Sequence, residues 1–172
     1  MKFYNLFLKS DNYFSSTNTA NTLNRTYAID WTFLPKDKHY KVSFNFCSNR
    51  FQSGTTLNDR QYLVLSNLGG YNSFTGGNNI GKNVNNILGG LKLKQASKRT
   101  SAGLQTDMHY RANAKSNPAI YLNDRPSCNF LTIDITSILG STDAILTSQY
   151  YIELFFQEIQ NILIIYHNVL YI

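Results

Sequence analysis

Apolar and polar residues alternate along much of the chain with a period of two, the signature of half-buried strands. In "TYAIDWTF", Tyr27, Ile29, Trp31 and Phe33 fall on one face and Ala28, Asp30 and Thr32 on the other. After the link "LPKDKH", "YKVSFNF" repeats the pattern. Tyr40, Val42, Phe44 and Phe46 face a core there, and Lys41, Ser43 and Asn45 face water. Pro35 presets φ for a turn and Lys36-Asp37-Lys38 keeps it solvated, so the two segments are expected to form a hairpin. Further strands are predicted at 3–8, 61–68, 87–94, 119–122, 129–135 and 150–156. In 129–135, Leu131, Ile133 and Ile135 point inward. "YYIELFF" (150–156) is aromatic on both faces and is expected to be buried on both sides or covered.

Eight strands with no long amphipathic helix between them predict an all-β fold, a single eight-stranded jelly-roll sandwich with long loops. The segment 141–149 has room for one helical turn, capped by Ser141 or Thr142. Two long links, 69–86 and 95–117, are expected at the ends of the sheets. An immunoglobulin-like sandwich is the alternative, but its Cys…Trp…Cys order is absent because Trp31 precedes both Cys47 and Cys128. The jelly roll is assigned to 1–158, leaving 159–172 as a short apolar C-terminal arm. Ten of those fourteen residues are apolar and none is Lys, Arg, Asp or Glu. The arm is too short for a transmembrane segment, which needs about 20 apolar residues. Bare, it would aggregate; it is expected either to pack on its own sandwich or to dock on a neighbouring subunit.

Composition sharpens this picture. Twelve Tyr, eleven Phe and 21 Asn in 172 residues favour pleated surfaces joined by turns. The net charge of +6 is unevenly placed. All sixteen Lys and Arg lie between Lys2 and Arg125, against six acidic residues, so 1–125 carries +10. Residues 126–172 carry −4, from Asp134, Asp143, Glu153 and Glu158. Such asymmetry fits a surface that meets a polyanion or an acidic partner. Lys92, Lys94, Lys98, Arg99, Arg111 and Lys115 concentrate it, with Tyr110 nearby, in what reads as a basic loop. Sparse aromatic interleaving argues against a stacking platform for single strands. The two cysteines form no C-x-x-C pair and are expected to be free and buried. No secretory leader is expected, since the apolar patch after Met1-Lys2 is broken by Asn5, Lys9, Ser10 and Asp11.

No enzyme chemistry is legible. "GGNNIGKN" (76–83) imitates a phosphate-binding loop, but Asn83 stands where a Ser or Thr hydroxyl would meet magnesium. A polar approach precedes it and the seven residues that follow, "VNNILGG", end in two glycines, so neither the strand nor the helix of that motif is present. His39, His109 and His167 are dispersed, without metal-ligand spacing. There is no G-x-S-x-G elbow. No cofactor or metal is expected, and no catalytic residue.

Two segments carry a resemblance. "YAIDWTFLP…YKVSFNF" (27–46) joins an aromatic strand, Asp-Trp, a Leu-Pro turn and a second aromatic strand. "NPAIYLNDRPSCNFLTIDI" (117–135) carries Asn117-Pro118, Arg125-Pro126 and Asn129 leading into an alternating strand. Together they resemble single jelly-roll minor capsid and penton-type proteins of large icosahedral DNA viruses and their relatives. The Asn-, Ile- and Tyr-heavy composition is similar to translation of an A/T-rich genome. The resemblance implies a structural virion protein, a penton or minor capsid component assembled in the host cytoplasm and working through subunit contacts. Its partners would be other capsid proteins and copies of itself, as a pentamer or trimer, with the genome or an acidic neighbour against the basic segment. Candidate assembly contacts are Lys98, Arg99, Arg111 and Lys115 in the basic segment and Ile162, Ile165 and Leu170 in the arm. A lectin-like module reading glycans with loop Tyr, Asn and Asp residues is the alternative.

Overall fold

The computed structural model describes residues 1–19, 22–49, 51–52, 62–68, 86–100, 103–112, 115, 117, 119–137 and 149–159. Among these are ten strands: β1 (Phe3–Lys9), β2 (Thr22–Ala28), β3 (His39–Ser48), β4 (Phe51–Gln52), β5 (Tyr62–Ser66), β6 (Asn86–Thr100), β7 (Gly103–Ala112), β8 (Ile120–Leu122), β9 (Phe130–Ser137) and β10 (Tyr150–Ile159). All pairings are antiparallel, and the main ones are nested. β1 pairs β10, β2 pairs β9, β3 pairs β8, and β5 pairs β6 as the innermost couple. A chain folded in half and then wound gives this order, which is the jelly roll. One sheet runs β1-β10-β3 and continues to β8 and β7; the other runs β2-β9-β5-β6. Strand β6 belongs to both, since residues 86–91 pair β5 and 92–100 pair β7.

Period-two patterning explains the layers. On β3 every second residue is buried, with Tyr40, Val42, Phe44 and Phe46 inward. β10 alternates likewise, with Tyr150, Ile152, Leu154 and Phe156 inward. Leu131, Ile133 and Ile135 do the same from β9. Burial of each large side chain of this kind contributes about 1.5–3 kcal/mol. The layers meet through rings: Tyr62 of β5 stands edge-on to Tyr110 of β7 at 5.0 Å. The buried Ser48 hydroxyl is used twice, accepting from the Tyr110 N–H (2.8 Å) and donating to the Asn49 carbonyl (3.1 Å). At Gly89 the sheet requires glycine. Its φ is +153°, opposite a register shift at Val64/Leu65, and a Cβ there would lie 2.1 Å from Asn117 Oδ1. That oxygen accepts from the Gly90 N–H at 2.9 Å.

The structure corrects several sequence expectations. Residues 26–46 are not a hairpin. β2 stops at Ala28 and belongs to the second sheet, whereas β3 belongs to the first. Asp30 accepts from the Thr32 N–H and caps a 3-10 turn at Trp31–Phe33. Trp31 is buried and Ile29 and Phe33 pack partly on the core, so the alternation runs on through a crossover between sheets. Residues 95–100 and 103–112 are not a loop: β6 and β7 form a ladder from Lys92↔Arg111 to Thr100↔Gly103. Gln95 to Thr100 lacks the apolar alternation by which the other strands were recognised, whereas Leu104, Thr106, Met108 and Tyr110 of β7 do alternate with polar residues. β10 is not covered on both faces, since Tyr151 is exposed. It also runs one residue into the predicted arm, ending at Ile159. The cysteines are free but not buried; Cys47 is half-buried on the outer face of β3 and Cys128 is exposed. The turn proposed at 141–149 and the loop 76–83 lie outside the described residues, apart from Gln149.

Candidate assembly surface

The outer faces of the two sheets differ in their mix of polar and aromatic residues, and the second also exposes Phe130, packed against Phe14 at 5.3 Å. On the outer face of the second sheet, cross-strand pairs of β2 and β9 are polar. Thr22 meets Thr136 (3.3 Å), Asn24 donates to Asp134, and Thr26 meets Thr132 (3.4 Å). The outer face of the first sheet is aromatic. Phe3, Phe7, Tyr121 and Tyr151 are exposed and Phe155 is half-buried. The register sets Asn5 beside Phe155 and Phe7 beside Glu153 on β10. Glu153 organises the centre of this face, accepting from Asn5 Nδ2 (3.4 Å) and Asn45 Nδ2 (3.2 Å), one on each neighbouring strand. Aromatic and polar residues therefore alternate across this face, with Phe155 between Asn5 and Ser43 and Glu153 between Phe7 and Asn45.

The free edges differ as well. β2 is covered by the chain's own segment 14–19. Phe14 and Ser15 N–H donate to the Thr26 carbonyl (2.7 and 3.3 Å), Thr26 N–H donates to the Ser15 carbonyl (2.8 Å), and Thr19 N–H donates to the Thr22 carbonyl (2.8 Å). Arg25 ties this cover down, donating to Asn18 Oδ1 at 2.8 Å and lying 4.5 Å from the Tyr13 ring centre. Among the described residues no strand pairs the other side of β1.

The sequence-predicted contacts are distributed rather than clustered. Arg111, exposed on β7, stands in register with Lys92 of β6 and Cys47 of β3. Lys98 and Arg99 lie near the tip of the β6–β7 ribbon, opposite Gln105 and Leu104. Lys98 is six residues, roughly 20 Å, from Lys92. Lys115 is exposed beyond β7. Ile162, Ile165 and Leu170 lie outside the described residues. Sequence reasoning missed the β1–β10 face, although the spacing Phe3-x-Asn-x-Phe7 and the doubly aromatic 150–156 carried its signal.

A cleft of about 480 Å³ opens between the Trp31 turn, the end of β5 and the loop 123–129. Tyr121, Asn123, Asp124 and Arg125 line it. Much of its polar chemistry is committed to the backbone. Trp31 Nε1 donates to the Cys128 carbonyl (2.7 Å), and Asp124 Oδ1 accepts from the N–H groups of Asp37 (2.9 Å) and Arg125 (2.7 Å). Arg125 Nη1 donates to the Leu34 carbonyl (3.3 Å). Asn67 donates to the Phe130 carbonyl and accepts from the Thr132 N–H, both at 2.9 Å, extending β5 by a side-chain mimic of a strand residue. Among the described residues no three His, Cys, Asp or Glu side chains gather into a metal site, and no helix is long and apolar enough to cross a membrane.

The Asp30 carboxyl sits below its usual range because the Thr32 N–H bonds it. Three phenols shift upward, chiefly by burial: Tyr27, Tyr150 and Tyr40, the last pushed up to about 12. Tyr27 donates to the Lys9 carbonyl (3.1 Å) and Tyr40 to the Pro35 carbonyl (2.7 Å), so each is held as the neutral donor. In alkali the folded chain therefore keeps protons that the unfolded chain loses, and stability falls as pH rises. The contribution is intact below the ordinary phenol value of 10.0 and is lost as pH climbs towards about 12. Urea midpoints measured from neutral pH upward are expected to drop in this window, with tyrosinate absorbance from these residues appearing together with unfolding.

No family profile, curated protein or solved structure matches the chain.

Proposed function

We propose that the chain is a structural virion protein, a penton-type or minor capsid component that works through subunit–subunit contacts. The observation that carries this reading is the asymmetry of the sandwich. Hydrogen-bonded polar pairs dominate the outer face of one sheet; the other sets exposed Phe3, Phe7, Tyr121 and Tyr151 among polar residues, beside a strand, β1, whose outer side no strand pairs among the described residues. Large stable interfaces are more apolar than ordinary surface, and a jelly roll with one such face is suited to being surrounded by copies and neighbours. The β6–β7 ribbon adds a row of basic positions for an acidic neighbour or the packaged genome, binding phosphates by counterion release. The apolar arm supplies a further contact. No catalytic group takes part.

The second reading, a glycan-binding module, is favoured by the cleft, whose volume and Tyr121, Asn123 and Asp124 lining suit a small polar ligand. The commitment of Trp31, Asn67, Asp124 and Arg125 to backbone partners weighs against it. Co-expression with candidate shell proteins and sedimentation of the products distinguishes the two. Incorporation into particles in symmetric copies is the expected result. A soluble monomer retained on a glycan array, with binding lost in Asp124→Ala, would replace the virion reading by the second. Within particles, charge reversal at Lys92, Lys98 and Arg111 together is expected to weaken incorporation in a salt-dependent manner.

A further inference from the structure

We infer that β1 is a two-fold docking edge, on which a second copy of this chain adds its own β1 antiparallel and centred on Asn5. The main-chain geometry comes first. The Glu158 N–H donates to the Lys2 carbonyl and the Ser10 N–H to the Tyr150 carbonyl, both at 2.9 Å. Bonding in an antiparallel ladder alternates sides along a strand. The even positions of β1 therefore face β10, and the amide and carbonyl groups of Phe3, Asn5 and Phe7 face the outer edge, while the Lys9 carbonyl is taken by the Tyr27 hydroxyl (3.1 Å) and the Asn12 N–H (3.3 Å). An edge of this kind is a template for another strand unless a protein blunts it. This chain does blunt the opposite edge, with segment 14–19 laid along β2. The lysines stand only at the ends, Lys2 just before β1 and Lys9 as its last residue, and the five residues from Phe3 to Phe7 carry no charge.

The occupant follows from the pattern of those five residues. "FYNLF" reads the same in type from either end: aromatic, apolar-facing, Asn, apolar-facing, aromatic. In an antiparallel pair centred on Asn5, Phe3 opposes Phe7 of the second copy, Asn5 opposes Asn5, and Tyr4 opposes Leu6. Every opposed pair then lies on one face, because both members are odd or both even. The odd set joins the outer aromatic faces of two sheets into one surface, and cross-strand aromatic pairs of this kind are stabilising. The even set brings together Tyr4 and Leu6, which already pack partly on the core. No lysine opposes a lysine. A self-complementary patch of this form is what an isologous two-fold contact requires. The inference does not rest on the virion reading. A two-fold dimer in solution would stand beside glycan binding, and a capsid role would survive a monomer in solution.

Asn5→Lys tests it directly in the full chain. Within one chain the new ammonium approaches the Glu153 carboxylate that Asn5 Nδ2 now contacts, so the sandwich is expected to keep its circular dichroism and unfolding midpoint. Across the two-fold it sets two ammonium groups face to face, which is destabilising. Sedimentation velocity over a concentration series is expected to show a reversible dimer for the wild type, and a dissociation constant raised by about tenfold or more in the variant. Register is tested by cross-linking in a Cys47→Ser, Cys128→Ser background. Directly opposed hydrogen-bonded residues have Cα atoms about 5.5 Å apart, within disulfide reach of about 4.4–6.8 Å. Asn5→Cys alone is expected to form a dimer on mild oxidation. Phe3→Cys and Phe7→Cys chains are expected to cross-link when mixed and not separately. A wild-type chain that stays monomeric at every concentration overturns the inference, as does a dimer unaffected by Asn5→Lys. Dimers that appear only after residues 160–172 are deleted would show the chain's own tail on the edge, and would equally overturn it.

Discussion

Replacing Trp31 by alanine is expected to lower the unfolding free energy by about 3–5 kcal/mol, the cost of removing a large aromatic from a packed site. Trp31 sits where the chain crosses between sheets. Its ring stacks on Phe33 at 6.0 Å and meets Phe156 of β10 edge-on at 5.9 Å. Its Nε1 holds the Cys128 carbonyl of the β8–β9 loop at 2.7 Å. The alanine variant thus loses contact area, two ring pairs and the donor that satisfies a carbonyl. Trp31→Phe separates these contributions. It restores most of the apolar area but leaves the Cys128 carbonyl without its partner, a cost of about 1–3 kcal/mol where that oxygen stays sheltered. Urea unfolding followed by far-ultraviolet circular dichroism measures both variants, since Trp31 is the chain's single tryptophan and its fluorescence is lost with it. An alanine variant within about 1 kcal/mol of the wild type would mean that the crossover is held by other contacts.

Trp31 also illustrates what a period of two reveals and what it hides. The alternation through Tyr27, Ile29, Trp31 and Phe33 correctly placed these side chains towards the interior. It does not distinguish a strand that continues from one that ends in a 3-10 turn, because the Asp30 cap is a local polar event. Strand pairing was equally invisible. β2 and β3 are neighbours in sequence but belong to different sheets, and nesting of distant strands is decided by how two apolar faces close over each other. β3, β9 and β10 were legible because their inner faces are continuous runs of large apolar residues. Of the β6–β7 ribbon only 87–94 was read as a strand; Gln95 to Thr100 offers no apolar alternation, and the alternation of Leu104, Thr106, Met108 and Tyr110 in β7 was passed over.

The candidate surface divides along the same line. The basic positions were visible by count, but their placement along a two-stranded ribbon depends on the register of Lys92 with Arg111 and Lys98 with Gln105. Phe3 and Phe7 were read as part of an ordinary strand. Their exposure follows from Tyr4, Leu6 and Leu8 taking the inner positions, and periodicity alone cannot say which apolar face of a doubly apolar strand turns inward.

Deleting residues 160–172 is expected to leave the sandwich folded and to abolish its incorporation into an assembly. The cut belongs after Ile159, because that residue still pairs with His39 and the adjacent Glu158 N–H still bonds the Lys2 carbonyl. Removing residues 160–172 leaves every described rung of the β10 ladder in place, and a melting temperature within a few degrees of the full chain is expected, as for a change of less than about 1 kcal/mol. The deleted segment holds nine apolar residues of thirteen and no Lys, Arg, Asp or Glu. Such a segment is costly to leave in water, at about 1.5–3 kcal/mol for each large side chain that burial would have withdrawn. Ile162→Asp, Ile165→Asp and Leu170→Asp, combined at full length, test the chemistry without shortening the chain. Loss of incorporation together with higher solubility of the free protein is the expected pair of results. Unfolding of the truncated chain, measured by circular dichroism, would instead place the arm in this protein's own core and remove it from the subunit contacts.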